Sequence, residues 1–270
     1  MGKVLFFFIL FMIAIQIHAV DYKIKAYNPN GDGNWGFASG NYGANFRSFL
    51  LNPSNFGSGG VVSDVRFSSI TDVSSITTSS LSDADIFVLM FPYGSGWNIN
   101  STQAQTLKNF VEQGGSLIVT GDADNTYPAV VGSLFGGVSF YNGWASTGGS
   151  VSMQNSVAGV TTGPFGTVSS LSWGGNATTQ ITSAGNSTIL DNWGMVSVIK
   201  PTGTSGSVVF YADTDAFISL GYYGASWQTL AGNVFAYSAH SAHSAVPEMN
   251  TVLLIASGIL ALLSKKWLKL

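Results

Sequence analysis

The segment from Asp85 to Gly121 leaves the chain very few ways to fold. Asp85 to Phe91 is an almost unbroken apolar run, the mark of a strand buried on both faces. Thr102 and Gln105 have the spacing of a capping box, and Ala104, Leu107, Phe110 and Val111 recur at helical spacing before Gly114-Gly115 stops the pattern. Ser116 to Gly121 then reads as a second buried strand. A strand, a helix and a strand in this length form a βαβ unit, whose strands lie parallel. The expected fold is therefore α/β.

Similar elements flank this unit. Tyr22 to Tyr27 alternates as a first strand, with Tyr22, Ile24 and Ala26 on one face. A turn-rich run from Asn28 to Asn34 follows, then a helix through Phe46, Phe49 and Leu50 that ends near Asn52-Pro53, then a strand over Val61 to Phe67. Residues 138–187 alternate in short apolar pieces between glycine and serine clusters and predict a β-rich insertion. Strands at Val196 to Ile199 and Ser207 to Ala212 resume the pattern, and Trp227, Leu230, Ala231, Val234 and Phe235 mark a closing helix. Ser238 to Ala245 reads as a low-complexity linker.

The two ends have a different character. Lys3 followed by apolar Val4 to Ile15 and Ile17-His18-Ala19 has the layout of a signal peptide, residues 1–19, cleaved before Val20. At the other end Val246, Pro247 and Glu248 precede an uncharged segment, Thr251 to Leu263, and then Lys265, Lys266 and Lys269. A full span needs about 20 apolar residues, so Trp267, Leu268 and snorkelling lysines would have to complete this one. Lysines after the segment predict a cytoplasmic C-terminus. The body, residues 20–237, then lies outside the cytoplasm.

A recognition motif, an apolar segment and a basic stop, in that order over residues 246–270, resemble a PEP-CTERM sorting signal. The resemblance implies a signal peptidase and an exosortase-like enzyme as processing partners, transient anchoring in the inner membrane, and a final place on the cell surface or in the biofilm matrix. Met249 and Asn250 stand where that family usually has a second proline and often a serine. The body resembles the class I glutamine amidotransferase-like superfamily. The resemblance is carried by Ala84 to Leu89, Leu107 to Gly121, Gly159 to Gly166, Gly206 to Asp215 and Asn233. It implies an open, doubly wound, mostly parallel sheet of flavodoxin-like type. Where amidotransferases carry a nucleophilic cysteine, this chain has Gly121-Asp122-Ala123-Asp124, and it has no cysteine anywhere.

Charge narrows the partners. Four of the 10 basic residues and Glu248, one of the 13 acidic, lie in the terminal signals, which leaves six basic against twelve acidic side chains in the body. Nucleic acid, which demands basic clusters, is excluded. Zero cysteines exclude disulfides and thiol chemistry. With His18 in the leader and His240 and His243 in the linker, a Ser-His-Asp triad has no base in the body.

Two groups of candidates remain. Asp122, Asp124, Asp213 and Asp215 follow predicted strand ends, where ligands bind in open α/β sheets. They either cap turns or gather at one edge, and gathered carboxylates need protons or a cation such as Ca²⁺ to relieve their repulsion. The Asp32 loop lacks EF-hand spacing and reads as a turn. Trp35, Tyr141, Trp144, Tyr222 and Tyr223 lie among glycines and amides, as do Phe37, Tyr42 and Trp227. Such rings either fill the core or form platforms for sugar rings. Three function classes follow: a non-catalytic surface or matrix protein, with exopolysaccharide as partner; a cation-dependent hydrolase or sugar-processing enzyme built on the aspartates; and a structural spacer. Non-catalytic binding is the leading expectation.

Overall fold

The computed structural model describes residues 18–91, 97–122, 126–141, 145, 149–172, 179–203, 205–218 and 224–242. In chain order, β1 (Val20–Tyr27) leads to α1 (Ala44–Leu51), β2 (Val65–Val73), the short α2 (Thr78–Leu81), β3 (Ile86–Met90), α3 (Ser101–Glu112), β4 (Ser116–Thr120) and α4 (Thr126–Leu134). Six short strands follow: β5 (Ser139–Phe140), β6 (Val151–Ser152), β7 (Thr162–Gly163), β8 (Gly166–Thr167), β9 (Ser170–Leu171) and β10 (Ile181–Ser183). The described chain closes with β11 (Thr188–Ile189), β12 (Val196–Ile199), β13 (Val208–Tyr211), α5 (Asp215–Ile218) and α6 (Ala225–Ser241).

Seven of these strands form one sheet in the order β11-β12-β13-β4-β3-β1-β2. The five from β13 to β2 are mutually parallel, and β12 runs antiparallel to both of its neighbours. This is a mixed α/β fold with a large, mostly parallel central sheet and extra β-hairpins. Every residue of β3 and β4 is buried, as expected of strands covered on both faces. Register aligns Met90 with Thr120 and Thr120 with Tyr211, so these strands end at one level.

The two faces follow from side-chain alternation along β1. Lys25 pairs with Phe87, whose ring packs against Phe110 of α3 at 6.5 Å, and the Lys25 ammonium reaches the Ser80 carbonyl of α2 at 2.8 Å. Tyr22 on the other face pairs with Phe67, whose ring meets Phe235 of α6 at 6.1 Å. On that side Phe37, Phe46, Phe217 and Phe235 are buried in mutual ring contact at 5.3–6.3 Å. The cluster joins the β1 loop, α1, α5 and α6.

The β-rich insertion docks on α6 through the Asn233 amide and through Trp227, whose Nε1 donates to Ser172 O at 2.6 Å. Asn233 is fully buried; its Nδ2 donates to Val160 O and Gly166 O at 3.0 Å each, and its Oδ1 accepts from Phe165 N at 2.9 Å. A Cβ on Gly163 would lie 2.6 Å from Asn233 Oδ1, so glycine at 163 is a packing requirement. Asp191 organises the far end: its carboxylate accepts backbone N–H bonds from Trp193, Gly194, Met195 and Val196 at 2.8–3.1 Å.

Several boundaries differ from the sequence reading. The second strand runs over Val65–Val73, not Val61 to Phe67; its polar second half suits an edge strand that pairs on one side only. The capping box on α3 is Asn100 with Gln103, reciprocally bonded at 2.9 Å, two residues earlier than Thr102 and Gln105. Helix α4 was not expected, since glycine and proline dilute its pattern. Helix α6 continues through Ser241, with Ser238, Ala239 and Ser241 buried, so the segment read as linker from Ser238 begins as helix. Small residues there pack closely against the sheet: Ser116 Oγ donates to Ser238 O at 2.8 Å. His240 accordingly belongs to the folded body, exposed beside Asp64 with Nε2 at 3.1 Å from Oδ2.

Replacing Asn233 with Ala leaves two carbonyls and one N–H without their partner. The expected loss is about 2–4 kcal/mol, or roughly 5–15 °C in Tm for a domain of this size. Thermal unfolding followed by circular dichroism measures it, and a Tm within a degree of the parent would contradict the docking role.

Candidate functional site at the carboxyl edge of the sheet

The strands of the parallel sheet release their loops at one edge, and most of the polar chemistry collects there. The loop after β1 is the most elaborate. Asn28 is buried, its Oδ1 accepts Asp32 N at 2.8 Å, and its Nδ2 donates to Asp72 Oδ2 at 3.1 Å. Asp72, near the end of β2, also accepts from Ala38 N at 3.1 Å and from the Ser39 hydroxyl. Asp32 accepts from Asn34 N and Trp35 N at 2.7 and 2.8 Å, an Asx turn, as its sequence suggested. From the other side Arg47 donates to Phe37 O and Gly40 O at 3.0 and 2.7 Å. Gly36 is needed because a Cβ there would lie 2.3 Å from Asn28 Nδ2.

This scaffold fixes the aromatic rings of the loop. Phe37 points into the core. Trp35 is half-buried and meets Tyr42 edge-on at 5.0 Å, with Tyr42 48% exposed. The loop aromatics therefore divide: Phe37 and Trp227 serve the core, whereas Trp35 and Tyr42 form a fixed surface pair. Tyr141 is exposed at the end of β5, in the insertion. Trp144, Tyr222 and Tyr223 lie outside the described residues, as do Asp124, His243, the sorting motif Val246, Pro247 and Glu248, and Lys265, Lys266 and Lys269.

The aspartates come together where β4 and β13 end. Tyr211 pairs with Thr120, so Asp122 and Asp213 occupy matching positions two residues further on. Below them Thr120 Oγ1 and Thr214 Oγ1 lie 2.8 Å apart, and Thr214 Oγ1 donates to Gly121 O at 3.0 Å. Asp213 is buried; its Oδ1 accepts Asp215 N at 2.6 Å, and its Oδ2 has no hydrogen-bond partner among the described residues. Burial, reinforced by the charges of Asp215 and Asp122, pushes the Asp213 carboxyl well above the usual carboxylate range. The Tyr211 phenol, also buried and without a hydrogen-bond partner among the described residues, is raised by desolvation alone. Among the described residues no group of three or more His, Asp or Glu is arranged to hold a metal ion. The raised pKa of Asp213 favours its protonated form, which lessens the repulsion at this edge.

Asn28, Asp72 and Arg47 escaped the sequence reading. Asn28 looked like one more turn residue, and Asp72 lay beyond the expected end of its strand. Phe37 and Phe217 connect the two halves of the site: their rings are 6.3 Å apart, Trp35 is two residues from one and Asp215 two from the other.

Neither a protein-family model nor a curated protein matches the sequence. Among solved structures, the mmIFT52 N-terminal domain is similar over 80% of this chain and 97% of its own, with a TM-score of 0.54 and 11% identity. At that identity the likeness is one of fold. An exo-beta-1,4-mannosidase from an Opitutaceae bacterium is similar over 80% of this chain and 35% of its own, with a TM-score of 0.44 and 11% identity. A cytoplasmic protein from Salmonella typhimurium matches over 80% of this chain and 98% of its own, with a TM-score of 0.43 and 10% identity.

A carboxyl whose pKa is raised by folding opposes folding as pH rises. Its folded pKa is raised, so the associated stability is complete below the unfolded value of about 3.9 and declines above it. Asp213→Asn keeps the shape and removes that decline. Tm should rise by several degrees at pH 7 and change little near pH 4. Equal melting curves at pH 7 would show that Asp213 is ionised and solvated in the native state.

Proposed function

We propose that the chain is an exported cell-surface or matrix protein, sorted by an exosortase-type tail, whose body binds polysaccharide without catalysis. The body is read as an open, doubly wound sheet of the flavodoxin-like, amidotransferase-like kind. The parallel order β2-β1-β3-β4-β13 supports this, because it is the flavodoxin order with its crevice where the order reverses, between β1 and β3. The aromatic loop leaves β1 at that crevice.

The observation that carries the binding reading is the Trp35–Tyr42 pair. Two rings are fixed edge-on by a hydrogen-bonded loop, one of them half in solvent, with Asn34, Asn41 and Ser39 around them. Rigid aromatic faces bordered by amides and hydroxyls suit sugar rings, whose C–H faces pack on π systems and whose hydroxyls need polar partners.

The export reading gains support from where the folded elements begin and end. Strand β1 starts at Val20, the first residue after the expected cleavage site, and Val20 N donates to Asp64 O at 2.8 Å. Helix α6 finishes beside the same Asp64, through His240. The described body thus begins and ends at the amino end of the sheet, opposite the carboxyl edge. Among the described residues no helix is long and apolar enough to cross a membrane; the expected membrane segment, 251–263, lies outside them.

A hydrolase reading has one observation in its favour, the buried Asp213 beside Asp122 with its pKa raised by burial, since acid–base sites tune carboxyls by burial. Binding is preferred because Asp213 is enclosed.

Two measurements test the proposal. Intact mass of surface material from the producing cells should correspond to a chain that begins at Val20 and ends near Pro247 or Glu248. A chain still ending at Leu270 beside an active exosortase would defeat the sorting claim. In a retention assay on immobilised polysaccharides, Trp35→Ala and Tyr42→Ala should each weaken binding by about tenfold, the scale of one lost stacking contact. Undiminished retention in both variants would remove the platform.

A further inference from the structure

The loop that carries Trp35 and Tyr42 sets the angle between them. Their planes cross at 72° with ring centroids 5.0 Å apart, the edge-to-face arrangement that aromatic pairs favour. The backbone on both sides is held: Asp32 Oδ1 accepts Trp35 N at 2.8 Å, Asn41 N donates to Gly33 O at 2.9 Å, and Tyr42 N donates to Asn34 O at 3.1 Å. Gly40 lies between these bonds, and a Cβ there would overlap the carbonyl oxygens of Asn34 and Gly36. Arg47 ties Phe37 O and Gly40 O to α1. Trp35 packs against the core and Tyr42 against Trp35, so the two rings stay out of a common plane. They form a corner with two walls.

The rim of this corner is amide. Asn34 and Asn41 are exposed, each next in sequence to one of the rings, and Asn41 Nδ2 donates to Asn34 Oδ1 at 3.4 Å. That one bond leaves the two amides with donors and an acceptor to spare, whichever way each is turned. The loop itself, residues 28–43, contains no lysine or arginine, and Arg47 is occupied by loop carbonyls. An anionic sugar would find no counter-charge here.

Resting on the polysaccharide-binding reading, we propose that the Trp35–Tyr42 corner takes a single sugar ring of an uncharged, hydrated glycan chain and rejects the flat face of a crystalline one. The C–H face of that sugar lies on one wall, and its rim hydroxyls meet the Asn34 and Asn41 amides. Chains packed in a crystal present their rings in one plane. Two walls at 72° do not both fit against a plane, so one would stand off or clash. A hydrated chain turns at its glycosidic bonds and can place one ring in the corner. Stacking and neutral amides form no ion pair with such a ligand, so salt has little to screen.

The test uses the full-length chain in detergent and three neutral polymers: a β-1,4-glucan, a β-1,4-mannan and an N-acetylglucosamine polymer. Each is offered as crystalline particles and in swollen, amorphous form, and dissociation constants rather than capacities are compared. At least one polymer should be retained when swollen and bound about tenfold more weakly when crystalline, the scale of one lost stacking contact. Its disaccharide and hexasaccharide should release the protein equally well per mole of sugar ring. Raising salt from roughly 50 to 500 mM should leave the constants within about twofold. Asn34→Ala with Asn41→Ala should weaken binding of the swollen form by about tenfold, the scale of two net hydrogen bonds, with an unchanged melting curve. Equal or tighter binding of the crystalline form, or a hexasaccharide that competes far better per ring, overturns the single-ring corner and leaves the platform standing. Strong salt dependence, or an Asn34 and Asn41 double variant that binds like the parent, overturns the neutral amide rim. Retention of no polymer in either form overturns the platform itself.

Discussion

Parallel pairing of β3 with β4 and of β4 with β13 is the constraint on which the rest of the molecule depends. Parallel strands cannot be joined by a tight turn, so each must return across a face of the sheet, and both faces become covered. That covering buries every residue of β3 and β4. It also delivers the ends of five strands to one edge in aligned register, so Asp122 and Asp213 become neighbours although 91 positions separate them in sequence. Any function of the body that needs groups from several loops has this edge as its natural place.

The edge itself is built by two kinds of force. Beneath it, aromatic rings from the β1 loop, α1, α5 and α6 interlock, and this fixes where the loop backbones lie. Above them, short polar side chains close the loops on themselves, as Asn28, Asp32 and Asp72 do. The glycines are part of this design: at Gly36 and Gly163 the space for a Cβ is already occupied by an asparagine side chain. A surface made in this way needs few charges, and those it has stand out.

The parallel core was legible because its pattern is local. Continuous apolar runs at β3 and β4 and helical spacing in α3 leave little choice, and β12, β13 and α6 followed by the same logic. The second strand was misplaced because half of an edge strand looks like a polar loop. The end of α6 was read as linker because Ser-Ala-His repeats are low-complexity in sequence, yet small residues are what a helix needs to approach Ser116 and the sheet. The aspartate cluster was legible as a candidate, but which carboxyl is perturbed was not: the raised pKa of Asp213 follows from its burial, which no residue spacing reveals. The Asn28–Asp72 link joins residues 44 positions apart and left no mark in either segment.

Together these elements describe a rigid α/β body that presents one acidic, aromatic edge at the end opposite its junctions with the terminal segments. Hydrogen–deuterium exchange with and without a polysaccharide that the body retains tests that picture most directly. Protection should appear in residues 28–43 and 212–217, which carry the rings and aspartates of the edge, while β3 and β4 stay slow in both states. Protection instead around Asp64 and His240, or in the groove between α2 and α3 near Thr78 and Asn109, would contradict the account.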